Sequence, residues 1–252
     1  MITLTNPLTT KERLSVVRLL GHDSQNQIAM ISSNLRAYEI IAKNPRRDNT
    51  RILPYDVLKA LAIHVSHTQQ TVRDLVQFKK IYLHKTDLSS LINNLVTSFK
   101  EWGGNLEYDL NPNIGEIHLE ENILHSILFN LANNGFNNQE VPRNERKVNL
   151  TVIPCELPKE AVYVSEGASD YSQFVGFHFQ NTGREFPKDK PLIERLTICP
   201  SEMKGGFGLY FTGLATKVLR GCVDIKSEGE DTTVSFYQPI YPDEQARGGN
   251  KT

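Results

Sequence analysis

Apolar residues in the first third of the chain recur at steps of three and four, which is the period of an amphipathic helix. The repeat runs over residues 9–43, and its apolar stripe begins at Leu14 and Val17. A turn-rich stretch separates it from a second repeat, which begins at Pro54 and reaches Tyr82. Proline suits the first turn of a helix, so the two repeats predict two antiparallel helices. Because this pair cannot bury both stripes alone, we expect two chains to form a dimeric four-helix bundle.

After residue 84 the pattern changes to short alternating stretches between helical ones. Asp87 can cap a helix that continues to Phe99, and further helices are predicted at 120–134 and 208–219. Alternation of apolar and polar residues predicts strands at 105–110, 148–153, 174–179, 223–226 and 233–237. The fold class is therefore predicted to be α+β: an N-terminal helical hairpin that dimerises into a four-helix bundle, followed by an α/β sandwich. The predicted divisions are a hairpin domain at 1–84, a sandwich domain at 85–242 and a disordered tail at 243–252.

Composition excludes several classes of protein. The chain has 252 residues, of which 39% are hydrophobic and 23% are charged, and its net charge is -1. This balance predicts no nucleic-acid partner and no attraction to an anionic membrane. No apolar run approaches the ~20 residues of a membrane span, and the first residues do not resemble a secretory signal. Three scattered cysteines without metal spacing indicate reduced thiols, so we expect a cytoplasmic protein without membrane insertion.

Two asparagines suggest the first candidate chemistry. Asn130 and Asn134 are four residues apart in an apolar helical frame, so their carboxamides fall on one face of the helix. A carboxamide oxygen is a neutral, hard ligand suited to Mg²⁺, which usually binds together with substrate phosphates. Further along, residues 177–187 form a strand that enters a Gly-Pro turn, and residues 204–211 form a glycine-rich loop that opens a helix. Glycines let backbone N–H groups approach phosphates, and a helix N-terminus favours negative charge.

Taken in order, these segments resemble the ATP-binding domain of sensor histidine kinases, in the superfamily shared with DNA gyrase, Hsp90 and MutL. Residues 130–135 resemble the N box, residues 181–183 the first Gly box, and residues 206–211 the second Gly box. Residues 192–196 lie where the family has a Phe-containing box within its ATP lid, and residues 229–233 match the closing Gly-x-Gly-Thr. The resemblance implies ATP as substrate and Mg²⁺ held by Asn134. The ATP-binding residues that it implies are Asn130, Asn134, Asn181, Gly183, Gly206, Gly208 and Thr232.

The first helix contains a second motif of the same family. Residues 21–26 resemble the H box, in which a histidine is followed by an acidic residue and, four positions after the histidine, by Thr or Asn. The resemblance implies that His22 accepts the γ-phosphoryl group of ATP. Asp23 can orient the imidazole or accept its proton, and Asn26, one helical turn further, can position water. Gly21 and Ser24 lie on the apolar stripe, so the three polar side chains are expected to point away from the bundle axis.

The implied function is a histidine kinase catalytic core in two-component signalling. The phosphoryl group would pass from His22 to an aspartate on the receiver domain of a response regulator, and phosphatase activity toward that partner is a further expectation. We expect a homodimer that receives its signal from the cytoplasm or from a separate sensor protein.

Four positions depart from the family pattern. Asn181 replaces the adenine-facing Asp, Glu185 and Lys204 replace glycines, and Asn137 replaces a lysine that often follows the N box. These departures leave two alternatives open. The first is an ATP-independent histidine phosphotransferase with a degenerate ATP domain. The second is a non-catalytic binding module that uses neither ATP nor His22.

Overall fold

A computed structural model describes residues 2–15, 17, 80–101, 103–183, 192–197 and 207–242. Residues 10–15 are helical, and the helix begins with a capping box. In this box the backbone N–H of Thr9 donates to Glu12 Oε2 at 2.7 Å, and the backbone N–H of Glu12 donates to Thr9 Oγ1 at 3.2 Å. The predicted start of the first helix is thus confirmed. Residues 18–79 of the predicted hairpin and the tail lie outside the described residues, so the four-helix bundle stays a prediction.

Besides the helical residues 10–15 and two three-residue 3-10 helices, Arg143–Glu145 and Ala168–Asp170, the described residues contain nine strands and four helices. The strands are β1 Ile2–Thr5, β2 Lys80–Asp87, β3 Leu106–Leu110, β4 Glu116–Leu119, β5 Val148–Cys155, β6 Tyr163–Val164, β7 Phe174–Thr182, β8 Cys222–Glu228 and β9 Asp231–Pro239. The helices are α1 Leu88–Glu101, α2 Glu121–Asn137, α3 Leu192–Thr197 and α4 Phe207–Val218. Within these residues, no helix combines the length and the apolar character that a membrane crossing requires.

Six strands form the main sheet, in the order β3-β5-β7-β9-β8-β6. The pairing of β3 with β5 is parallel and the other pairings are antiparallel. Alternate side chains of β7 and β9 point into one buried core, which they share with α1, α2 and α4. At its centre the ring of Phe99 meets the rings of Phe129 and Phe136 edge-on, with centroids 5.6 and 5.7 Å apart. This arrangement confirms the predicted sandwich of helices on a sheet.

The start of α1 is capped as the sequence predicts. The Asp87 carboxylate accepts hydrogen bonds from the backbone N–H groups of Ser89 and Ser90 at 3.2 and 3.1 Å, and from the Ser90 hydroxyl at 2.6 Å. The Ser90 bonds lower the pKa of Asp87, because they favour the charged carboxylate. Helix α1 then buries Leu88, Leu91, Ile92, Leu95 and Phe99 on one face.

The predicted end of the second helix is wrong. Tyr82, which the apolar repeat places on that helix, lies in strand β2 and is 46% exposed. Strand β2 alternates between buried and exposed residues, with Ile81 and Leu83 buried, and it pairs with β1 on one side and β4 on the other. A two-residue period with partners on both sides defines a strand. Because β2 runs through residue 84, the chain continues without a break into the sandwich, and the division into domains stays a prediction.

Candidate nucleotide-binding site

The floor of the candidate site is a polar row at the end of the main sheet. Cross-strand register places Asn181 of β7 opposite Thr232 of β9, and Thr232 opposite Ser227 of β8. We call these three residues the polar row. The preceding row on the same face is apolar and consists of Phe179, Val234 and Ile225. The core face of the sheet therefore changes from apolar to polar at one edge, where a ligand with hydrogen-bonding groups can lie.

Asn181 is the most unusual member of this row. Its side chain is only 4% exposed, and its Nδ2 atom has no hydrogen-bond partner. A buried donor without a partner costs about 1–3 kcal/mol. Thr232, which is also buried, has its hydroxyl 3.2 Å from the hydroxyl of Ser227, and either oxygen can be the donor. The row thus contains an amide donor whose unmet hydrogen bond a ligand with an acceptor would satisfy.

Helix α2 forms the wall beside the polar row. Gly135 lies so close to Asn181 that an added Cβ would be 3.1 Å from Asn181 Oδ1 and 3.4 Å from a methyl carbon of Val148. The absence of a side chain at Gly135 lets the helix approach the strand without covering the carboxamide. Leu131 and Asn138, which lie four residues before and three residues after Gly135, line the same pocket.

The predicted asparagine pair lies beside the start of α4. The Asn130 Nδ2 group donates to the Ser126 carbonyl at 2.9 Å, which fixes the orientation of its carboxamide. A Cβ added at Gly208 would lie 3.4 Å from Asn130 Oδ1 and 3.7 Å from Asn134 Nδ2. Both carboxamides therefore border the first turn of α4, whose backbone N–H groups have no partners within the helix. This is a suitable place for phosphate groups.

The residues at this corner of the site would suit Mg²⁺ that is bound together with a phosphate-bearing ligand. Asn134 is exposed at the pocket and can offer one neutral oxygen. Mg²⁺ commonly takes one or two protein ligands and completes its shell with phosphate oxygens and water. If bound there, the ion would neutralise phosphate charge.

The complete pocket has a volume of about 290 Å³. It is lined by Leu131, Asn134, Gly135, Asn137, Asn138, Asn181, Arg195, Gly208, Leu209, Ile225, Thr232 and Val234. Arg195 of α3 supplies a positive charge, and none of the described lining residues is acidic. The balance of charge favours an anionic ligand.

Four of the predicted binding residues, Asn134, Asn181, Gly208 and Thr232, line this pocket, and Asn130 borders it through Gly208. Gly183 is placed differently. A Cβ added there would lie 2.7 Å from the Asn138 carbonyl oxygen, so in this structure Gly183 allows close packing between the end of β7 and α2. The remaining predicted site residues, Gly206, His22, Asp23 and Asn26, lie outside the described residues.

Sequence reasoning did not identify several pocket residues as part of the site. Arg195 belongs to the segment that resembles the lid, but its sequence does not indicate that its side chain lines the pocket. Ile225 and Val234 belong to the alternating pattern of their strands, which marks a buried face without distinguishing core from pocket. Gly135 follows Asn134 directly, and its proximity to Asn181 becomes evident only when β7 packs beneath α2.

The main sheet is covered on one face by helices, and the pocket lies between its polar edge and the first turn of α4. No protein-family model matches the chain, and no curated protein matches it by sequence. Similar folds occur among solved structures.

A bacterial phosphotransferase solved at 1.7 Å is 15% identical, with a TM-score of 0.51, and the match covers 92% of this chain and 99% of that one. The histidine kinase ThkA in complex with the response regulator protein TrrA is 15% identical, with a TM-score of 0.50 and coverage of 94% and 65%. The histidine kinase AdeS of Acinetobacter baumannii is 11% identical, with a TM-score of 0.49 and coverage of 88% and 98%. The first two similarities show that this chain shares the fold of those structures, and at these identities they show nothing beyond the fold.

Proposed function

We propose that the chain is a two-component signalling protein that binds Mg-ATP in this pocket and phosphorylates itself on His22. The observation that carries the proposal is the joint placement of Asn181, Asn134 and Gly208 around one pocket. These residues come from three separate sequence segments, each of which resembles a different part of the same ATP-binding domain. The buried amide of Asn181 would hold the base, while Asn134 and the first turn of α4 would hold the phosphates.

The chemistry follows from the residue types. The neutral imidazole of His22 would attack the γ-phosphorus, the bond from that phosphorus to the bridging oxygen would break, and ADP would leave. Asp23 would accept the imidazole proton or hold the ring in position. Catalysis of this kind is mostly positioning and electrostatic stabilisation, to which Arg195 at the pocket and the N–H groups of α4 would contribute.

The phosphoryl group would then pass to an aspartate on the receiver domain of a response regulator. The fold similarity to ThkA, whose structure contains a response regulator, supports this choice of partner. A homodimer is supported by Leu14 and Val17, which lie on the predicted apolar stripe and are 64% and 44% exposed in a single chain. A second copy that completes a four-helix bundle would cover them.

Because Asn181 is neutral, the expected affinity for Mg-ATP is lower than with the family's Asp, but it is not abolished. A hydrogen bond to a charged group contributes ~1.5–3 kcal/mol and a neutral one ~0.5–1.5 kcal/mol. Relative to the family's Asp, Asn181 therefore loses roughly 1 kcal/mol, which is several-fold in affinity. We expect weak but measurable binding of Mg-ATP.

Calorimetric titration with Mg-ATP, combined with labelling by γ-labelled ATP, tests the proposal. Asn134→Ala is expected to remove Mg-dependent binding. Asn133→Ala is the matched control, because its carboxamide bonds to Asn137 on the same helix and does not line the pocket. If millimolar Mg-ATP gives no heat of binding and His22 acquires no label, the proposal of a kinase is wrong.

An ATP-independent histidine phosphotransferase is the second candidate. The neutral Asn181 and the fold similarity to a bacterial phosphotransferase favour it. In that case, a phosphorylated receiver domain would transfer its phosphoryl group to His22 in the absence of nucleotide, and ATP would bring about no labelling. The two candidates therefore give opposite results in the labelling experiment.

A further inference from the structure

We propose that the pocket accepts both purine triphosphates, ATP and GTP, because its base-reading group is the carboxamide of Asn181. The inference rests on the proposed nucleotide site and extends it to the choice of base. Asn181 is buried at the floor of the pocket, and its Nδ2 atom has no partner in the protein. No protein hydrogen bond to Nδ2 therefore fixes the orientation of this carboxamide, which lines the pocket.

A carboxamide is a donor and an acceptor side by side. The two purines present opposite pairs of groups at the edge that pairs in nucleic acids. Adenine offers the N6 amino group as a donor and N1 as an acceptor, whereas guanine offers O6 as an acceptor and N1–H as a donor. A flip of the carboxamide about its Cβ–Cγ bond exchanges the positions of Oδ1 and Nδ2 with little change of shape. Asn181 can thus make two hydrogen bonds to either base.

The neighbours of Asn181 in the polar row also permit both orientations. Thr232 and Ser227 form a hydroxyl pair in which either oxygen can donate, so its polarity can reverse with that of the base. Gly135, which approaches Asn181 Oδ1 from α2, has no polar side chain that would hold the carboxamide in one orientation. Among the described lining residues there is no carboxylate to impose a fixed acceptor.

A side chain without hydrogen-bonding groups at the same position would remove this recognition. Alanine offers neither a donor nor an acceptor, so each purine would lose the same two neutral hydrogen bonds. This loss corresponds to about ten- to a hundredfold in affinity. Asn181→Ala is therefore expected to weaken the binding of ATP and GTP alike, toward the affinity of a nucleotide that binds through its phosphates alone.

The test is calorimetric titration of the full chain with the magnesium complexes of ATP, GTP, inosine triphosphate and UTP. In the unmodified protein we expect ATP and GTP to bind within about fivefold of each other, because each makes two neutral hydrogen bonds. Inosine triphosphate has the O6 and N1–H of guanine without its 2-amino group, so it separates hydrogen-bond polarity from the space that this group needs. UTP is the control for binding through the phosphates alone.

In Asn181→Ala, the binding of ATP, GTP and inosine triphosphate should weaken by about ten- to a hundredfold while the binding of UTP is unchanged. If the unmodified protein binds ATP tightly but binds neither GTP nor inosine triphosphate, the inference about base choice is wrong, whereas the proposed kinase function is unaffected. Unchanged affinity for ATP and GTP in a folded Asn181→Ala variant, or binding of UTP to the unmodified protein as tight as that of ATP and GTP, would also overturn it. Absence of all binding would instead overturn the nucleotide site itself. The comparison within the unmodified protein does not depend on whether the variant folds.

Discussion

The contact between helices α3 and α4 permits a sharp test of how the pocket is built. Gly213 of α4 lies directly beneath the backbone of Leu196 in α3. A Cβ at Gly213 would overlap the Leu196 carbonyl oxygen and lie 2.8 Å from its carbonyl carbon, whereas ordinary contacts lie at 3.4–4 Å. The obstructing atoms belong to backbone and cannot turn aside. In Gly213→Ala, α3 must therefore move, and with it Arg195, which lines the pocket.

The change in stability expected for Gly213→Ala is the difference between two opposing effects. Replacement of glycine by alanine inside a helix stabilises it by about 0.5–1 kcal/mol. Overpacking of a close contact costs about 1–3 kcal/mol, and a backbone obstruction belongs at the upper end of this range. We expect a net destabilisation of about 1–2 kcal/mol, equivalent to about 2–8 °C in Tm for a chain of this size. Displacement of Arg195 should also weaken Mg-ATP binding.

Gly208→Ala is the matched control, since it makes the same substitution in the same helix. Its Cβ would meet Asn130 Oδ1 at 3.4 Å and Asn134 Nδ2 at 3.7 Å, which are ordinary contacts. We expect an unchanged or higher Tm but weaker Mg-ATP binding, because the methyl group projects toward the phosphate corner. Thermal denaturation followed by circular dichroism, with calorimetry for binding, measures both quantities. The reasoning fails if Gly213→Ala is as stable as the parent, or if Gly208→Ala is the less stable of the two.

The remaining predictions concern Glu12 at the start of the first helix and two residues of the motif that resembles the H box. The Lys217 ammonium lies 2.8 Å from Glu12 Oε1. Burial raises the pKa of Glu12, but hydrogen bonds from Lys217 and Thr9 outweigh this effect and hold the pKa below its ordinary value. The resulting stabilisation is present above the unfolded pKa and is lost as pH falls through the folded one. Urea denaturation should therefore show Glu12→Gln to be less stable by about 0.5–1 kcal/mol near neutral pH, with the difference vanishing in acid. His22→Ala should abolish the acid-labile, base-stable phosphoryl label without loss of the fold, and persistent label would contradict its role. Asn26→Ala should retain the label but slow dephosphorylation of the partner, which a radiolabelled receiver domain would report.

Local pattern was sufficient to predict the sandwich. In β7 and β9 the side chains alternate between core and opposite face, so a two-residue period in sequence became a buried face in the structure. The helix at 120–134 was predicted from the same kind of periodicity, and it extends by one turn to Asn137. A strand or helix that buries one whole face against its neighbours shows this in the periodicity of its sequence, so such elements can be predicted.

Strand β2 could not be recognised in the same way. Tyr82 continues the helical spacing of the residues before it, while the competing alternation of Ile81 and Leu83 covers only a few positions. The pairing with β1, a four-residue strand that precedes the predicted helical hairpin in sequence, decides in favour of the strand. Short apolar stretches are ambiguous until a partner is known, and this partner is distant in sequence. The same limit applies to Arg195, whose position at the pocket depends on how α3 rests on α4.

The replacement at position 181 is the strongest sequence argument against ATP use, and the structure changes its weight. Asn181 follows Phe177 and Phe179 on the core face of β7, so an apolar side chain there would extend the hydrophobic face. Asn181 instead buries an amide donor without a partner, at a cost of about 1–3 kcal/mol. A ligand with hydrogen-bonding groups, or a water molecule in the pocket, can supply the missing acceptor. The carboxamide therefore keeps the floor of the pocket polar, which supports the proposed nucleotide site over a site closed by apolar packing.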